Sequence, residues 1–162
     1  MRSVLHAVRD VLAAHPDVVV VLPAHPNPQV RSDVLAVLGD DRRVHITEPL
    51  DYSELVRLLE LSTLVLSDSG GIQEEAPSFG VPVLVLRERT ERLEAIEAGC
   101  ATLVGTDRER IVKESARLLS ERRAAVNGRA VSNPFGDGHS GERAAEAVAR
   151  LVAQARSTTT GA

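Results

Sequence analysis

The 162-residue chain is poor in aromatic residues: Tyr52, Phe79 and Phe135 are the whole set, and tryptophan is absent. Its core must therefore be built from Val, Leu, Ile and Ala, which suits parallel strands covered by helices and argues against an all-β sandwich. With so few rings for base stacking and a formal net charge of −4, nucleic acid is not an expected partner, whereas a small anion bound locally is compatible. A single cysteine, Cys100, leaves no internal disulfide and no cysteine-rich zinc site. It follows Gly99 with no paired base nearby, so it reads as a small buried hydrophobe. Purely apolar runs are short, as at Val18–Leu22, against the ~20 residues that a membrane span needs. His6, Arg9 and Asp10 interrupt the N-terminal segment before a secretory apolar stretch forms, so no membrane association and a cytoplasmic location are expected.

Short β-branched runs alternate with segments of helical period. Strands are expected at Val18–Leu22, Val44–Ile46, Leu64–Ser67, Val83–Leu86 and Thr102–Val104. Helices are expected at Arg2–Ala14, Val30–Leu38, Tyr52–Leu61, Ile72–Phe79, Arg92–Ala98, Asp107–Leu119 and Gly141–Ala155. Asp51 with Glu54, and Thr106 with Glu109, have capping-box spacing, while Gly80 and Gly99 fall where helices end. This repetition predicts one doubly wound α/β domain over residues 1–156, with all five strands in one parallel sheet and ligands bound beyond the strands' carboxyl ends. The last six residues, 157–162, have little to bury and read as a frayed tail.

The sharpest local signal is Ser67-Asp68-Ser69-Gly70-Gly71-Ile72-Gln73-Glu74-Glu75. A strand ends there, two glycines let the backbone turn and approach a ligand, and a helix begins. Ser69 can donate a hydroxyl to a phosphate oxygen while Gly70 and Gly71 offer amides; alternatively Ser69 only caps the helix and the glycines only turn the chain. Glu74 and Glu75 stand about 100° apart on that helix, so they cannot face a ligand equally, and one of them is expected to be structural. Neither the dinucleotide fingerprint nor P-loop spacing is present.

Among the charges after the fourth strand, Arg92 sits where the next helix begins, placed to clamp a phosphate; the others read as solvated surface. His25-Pro26-Asn27-Pro28 is a rigid loop that presents His25, and Asn133-Pro134-Phe135-Gly136-Asp137-Gly138 is a second stiffened turn.

In order along the chain, these motifs, with Pro49-Leu50-Asp51-Tyr52, Gly80-Val81-Pro82-Val83, Thr90-Glu91-Arg92 and Val104-Gly105-Thr106-Asp107, resemble the C-terminal half of the non-hydrolysing UDP-N-acetylglucosamine 2-epimerases. The resemblance runs from about Ser3 to Ala149. It implies one Rossmann-like half of a glycosyltransferase-B architecture, with UDP held in the cleft between two halves. Ser69, Gly70 and Gly71 would hold the diphosphate, Glu75 the ribose hydroxyls and Arg92 the phosphate side, with the loop near Leu55 against the uracil. His25 falls at a histidine of a second, regulatory UDP-sugar site. The implied reaction inverts C2 of the sugar through loss and return of UDP, and it needs no cofactor and no metal.

The chain departs from the family pattern in several places. Leu55 stands where many members carry an aromatic, and Leu93 stands where Thr-Glu-Arg is usually followed by proline. The resemblance also places an N-terminal domain with the catalytic carboxylates, and a further strand with a basic loop, ahead of Arg2; without that strand a gap is expected in the middle of the sheet. The expected partners are thus a UDP-sugar and an N-terminal catalytic domain or chain, and a homodimer stays open. Two other readings remain: a UDP-sugar-binding half of a glycosyltransferase, and a catalytically silent nucleotide-sugar-binding module.

Overall fold

The computed structural model describes residues 1–124 and 133–159. Five strands are present, β1 (Val20–Pro23), β2 (Val44–Thr47), β3 (Val65–Ser67), β4 (Val83–Val85) and β5 (Ala101–Leu103). They alternate with helices α1 (Arg2–Ala14), α2 (Pro28–Leu38), α3 (Tyr52–Leu61), α4 (Gly70–Glu75), α5 (Leu93–Glu97) and α6 (Arg108–Ala124), and α7 (Ser140–Thr159) closes the order. Every strand pairing is parallel, as expected for strands joined through helices.

The single sheet expected from the sequence is not formed. β1 pairs only with β2, in the register Val20 to Val44, and β3, β4 and β5 form a separate ribbon in that order. The split into two ribbons agrees with the gap in the middle of the sheet that the family resemblance implied. No ladder among the described residues joins the two ribbons.

β4 is buried on both faces, as the central strand of a covered parallel sheet must be. Because successive side chains alternate, Val83 and Val85 join a cluster with Leu59, Ala76 and Ala95, while Leu84 points to the other face, against Ala7, Val104 and Ile111. A third cluster, Leu5 with Val34 and Leu38, covers the β1–β2 ribbon. One helix, α1, therefore serves both ribbons: Leu5 packs on one and Ala7 on the other, two positions apart on a short helix. Polar ties repeat the pattern, since Arg2 pairs with Asp33 of α2 at 3.0 Å and Asp10 takes Arg108 of α6 in two bonds of 2.6 and 2.8 Å. Arg43, ahead of β2, donates to the Leu12 and His15 carbonyls at the end of α1, filling acceptors that a helix terminus leaves open.

The helix ends follow local chemistry. Asp51 and Glu54 form the expected capping box on α3. The expected box at Thr106 is replaced by Asp107, whose carboxylate accepts from the Arg110 amide at 2.7 Å; Thr106 sits one residue too early, and its carbonyl takes the Ser3 hydroxyl. Gly80 and Gly99 adopt φ of 62° and 72° and end their helices, each with paired backward bonds to the preceding turn. The helix expected at Ile72–Phe79 starts earlier, at Gly70, and passes into a 3-10 turn at Ala76–Phe79, where Pro77 has no N–H for an α-helical bond. α7 extends past its expected end to Thr159, overrunning the first residues of the expected tail, of which 160–162 lie outside the described residues. Its Val148, Leu151 and Val152 are exposed. Cys100 is buried as expected, and burial pushes its thiol pKa up. No helix among the described residues is long and apolar enough to cross a membrane.

Candidate functional site

The glycine turn lies at the carboxyl end of β3, on the edge where parallel α/β sheets bind ligands. The Ser67 hydroxyl accepts from the Ser69 amide at 3.1 Å and shapes the exit from the strand. Ser69 occupies the N-cap of α4 with extended backbone, yet its hydroxyl makes no capping hydrogen bond. Ser69 thus caps α4 through its backbone alone, and its hydroxyl is not used in the cap.

Glu75, one turn beyond Gly71, comes back to the same place. A Cβ built on Gly71 would stand 3.8 Å from Ser69 Oγ and 3.9 Å from Glu75 Oε1, so the two oxygens border the space over Gly71. The other carboxylate oxygen, Glu75 Oε2, is buried with no hydrogen-bond partner among the described residues. A buried acceptor left empty is costly, and the hydroxyls of a bound sugar are donors of the kind that would fill it.

Glu74 turns the other way. Its Oε1 accepts from Arg92 Nε at 2.5 Å, and Arg92 Nη1 also meets Glu91 Oε1 at 2.9 Å. The guanidinium then lies beside the turn: a Cβ on Gly70 would be 3.3 Å from Arg92 Nη2. Of the two adjacent carboxylates, one is thus spent on orienting an arginine and the other borders the open space. Arg92, expected as the first residue of its helix, is instead the N-cap of α5, and Leu93 fills the first helical position, where a proline is tolerated.

Three residues that the sequence reading gave no role in the site build its frame. Gln73 is fully buried; its Nε2 donates to the Ser69 carbonyl at 3.1 Å and its Oε1 accepts from the Thr90 hydroxyl at 2.6 Å. Thr90 Oγ1 in turn accepts from the Arg92 amide at 3.1 Å. Asn133 donates to the Glu74 carbonyl at 3.0 Å and to Ser78 Oγ at 2.7 Å, pinning the second stiffened turn onto α4, while Phe135 packs into the adjoining core. The one available signal was a glutamine four residues after Ser69, where its side chain can reach back along the helix.

The structure brings Ser69, Gly71 and Glu75 together, and Gly70 with Arg92. Leu55 is not on a loop: it lies in the first turn of α3, half-buried against the core that holds Ala76 and Val85. His25 follows β1 in the other ribbon, exposed, with Nδ1 accepting from the Asn27 amide at 3.2 Å. No group of His, Cys, Asp or Glu suited to a metal ion occurs among the described residues. A concavity of about 450 Å³ between α1 and α6, lined by Asp10, Arg108 and Val112, shares no residue with the glycine turn.

Parallel strands, flanking helices and this turn define a Rossmann-like half of the glycosyltransferase-B type. The chain belongs to the UDP-N-acetylglucosamine 2-epimerase family, whose model matches residues 1–149. It is 46% identical over 146 residues to the UDP-N-acetylglucosamine 2-epimerase of Escherichia coli, covering 90% of this chain and 39% of that protein. The enzyme of the same name from Bacillus subtilis is 43% identical over 146 residues, 90% of this chain and 38% of its own length. Among solved structures, the Staphylococcus aureus MnaA–UDP co-structure superposes with a TM-score of 0.86 at 38% identity, over 93% of this chain and 41% of that one. The Neisseria meningitidis UDP-GlcNAc 2-epimerase bound to UDP-GlcNAc superposes with a TM-score of 0.83 at 36% identity, over 92% of this chain and 40% of that one. The chain spans about two fifths of the length of these relatives.

Proposed function

We propose that this chain is the UDP-binding half of a UDP-N-acetylglucosamine 2-epimerase. The observation that carries the reading is the convergence at one strand end of Ser69 Oγ, the Gly71 turn and Glu75, whose buried Oε2 lacks a partner, with the Arg92 guanidinium beside Gly70. Ser69 and the glycine amides take phosphate oxygens, Arg92 neutralises the phosphate charge, Glu75 accepts from the ribose hydroxyls, and Leu55 gives the base an apolar contact. His25, in the other ribbon, takes part in a second UDP-sugar site.

The reaction needs three things: a base for the C2 proton, an acid on the other face of C2, and charge stabilisation for departing UDP. The C2 proton leaves as the bond from C1 to the UDP oxygen breaks, giving an unsaturated sugar and free UDP. UDP then adds back at C1 while a proton returns to the opposite face of C2, so the two steps balance with no change of oxidation state. The residues around the glycine turn serve the leaving group. The acid and base belong to the part of the relatives that this chain does not span, whichever chain carries it. Calorimetry with UDP and uridine tests the binding reading: tighter binding of UDP is expected, and equal affinity would show that the turn holds no phosphate.

A further inference from the structure

We infer that Gln73 is a positioning residue for the diphosphate, a buried strut that sets the span between the Ser69–Gly71 turn and Arg92; the inference rests on the UDP-binding reading above. The direction of every bond in the strut is determined. The Ser69 carbonyl can only accept, so the Gln73 amide must turn its NH₂ toward it and its oxygen toward Thr90. The single hydroxyl hydrogen of Thr90 is then committed to Gln73, and its oxygen is left to receive the Arg92 amide. The chain therefore runs from the Arg92 N–H through Thr90 and Gln73 to the carbonyl immediately before Gly70.

This links two loops some twenty positions apart in sequence. Without it, the half-exposed Arg92–Glu74 ion pair is the remaining side-chain bond between α4 and the Thr90–Arg92 loop among the described residues, and exposed pairs hold geometry weakly. Gln73 is fully buried, where a satisfied network is stiff and a broken one expensive. A diphosphate that touches the Gly70 side and Arg92 together needs their spacing set before it arrives, because a ligand that must order its own loops binds more weakly. Gln73 touches neither phosphate in this arrangement; it acts through Ser69 and Arg92. If it served only to satisfy the core, its loss would lower stability and leave ligand preference alone.

The test is a pair of substitutions at Thr90, which lies less deeply than Gln73. Thr90→Val removes the hydroxyl at nearly constant volume, and Thr90→Ser keeps it. For the 162-residue chain, UDP and uridine affinities are measured by calorimetry beside melting temperature. Thr90→Val is expected to weaken UDP about tenfold with uridine unchanged, and Thr90→Ser to restore UDP binding to within about twofold. Gln73→Met, in whatever fraction folds, should match Thr90→Val in its UDP-to-uridine ratio. If the unsubstituted chain prefers UDP and Thr90→Val keeps that preference, the strut is overturned while the binding reading stands. If the unsubstituted chain shows no preference for UDP, both are overturned.

Discussion

Arg92 pairs with Glu74, Nε meeting Oε1 at 2.5 Å, while Nη1 meets Glu91 and Nη2 lies beside the turn, 3.3 Å from where a Cβ on Gly70 would stand. The neighbouring Glu75 takes no part in the pair and borders the space over Gly71 instead. This division makes the two carboxylates separable by ligand. Glu75→Gln should weaken UDP and uridine alike, by about tenfold or more, since a hydrogen bond to a charged group is worth roughly 1.5–3 kcal/mol. Arg92→Ala should weaken UDP by a similar factor and leave uridine untouched. Glu74→Gln, which loosens the arginine without touching a ribose, should also spare uridine. Calorimetry of the three variants with both ligands checks the assignment; uridine binding that falls on Glu74→Gln and survives Glu75→Gln would reverse it.

Ser69 and Asp51 both stand at helix N-caps, yet only Asp51 uses its side chain there. Asp51→Ala should therefore lower the melting temperature by about a few degrees, whereas Ser69→Ala should leave it nearly unchanged. Ligand binding should respond in the opposite sense, with UDP affinity falling on Ser69→Ala and holding on Asp51→Ala. Thermal melts with and without UDP separate the two.

Acid should destabilise the chain through a few partly or fully exposed aspartates. Hydrogen bonds from Arg108, from Arg43 and from Arg143 hold Asp10, Asp41 and Asp137 below the ordinary aspartate range, and the Glu54 amide with the Ser53 hydroxyl does so for Asp51. With folded pKa values below the unfolded ones, the unfolded chain takes up protons first. The stabilisation is therefore complete above about pH 4–5 and is lost as pH falls through the folded values. Melting temperature should be flat from neutrality to about pH 5 and then decline, less steeply in Asp51→Asn, which keeps an acceptor but does not titrate. High salt should shrink the arginine-dependent share, because all these groups meet solvent.

The 162-residue chain alone should not exchange the C2 hydrogen of UDP-N-acetylglucosamine. Glu74 is held by Arg92, Glu75 borders Gly71, and His25 belongs to the other ribbon, so, with UDP bound as proposed, each lies on the nucleotide side or farther away. A base must come within about 2.6–3.2 Å of the proton it removes, or act through one water. Binding UDP without one holds the substrate and leaves it unchanged. Mass spectrometry of substrate incubated in deuterium oxide reads the step directly, and label at C2 would place a catalytic base on this half.

Much of this was legible in the sequence because the signals are local. The capping box of Asp51 and Glu54, and the helix-ending Gly80 and Gly99, follow from chemistry within a few residues, and all appear where expected. The glycine turn announced the strand end and the start of a helix, while which of Glu74 and Glu75 would face Ser69 was not legible in the residues themselves. What failed was long-range or finely balanced. Hydropathy tells that Val20–Leu22 and Val65–Leu66 are strands, but not whether β1 and β3 become neighbours, so the single sheet was wrongly expected. Pro77 could have shortened α4, yet proline near a helix end is compatible with several outcomes. Gln73 escaped because a buried amide looks, in sequence, like any polar helix position until Thr90 is folded against it.

The position of α1 bears on how the molecule comes apart. With no ladder between the ribbons among the described residues, the thirteen-residue α1 is a helix that packs on both, through Leu5 and Arg2 on one side and through Ala7 and Asp10 on the other. When α1 detaches, each ribbon loses part of its apolar cover, and the ladder beneath opens more readily. Undocking of α1 is thus an opening that both ribbons share, and amide protons in β1 and in β4, which never touch across a hydrogen bond, should become exchangeable together.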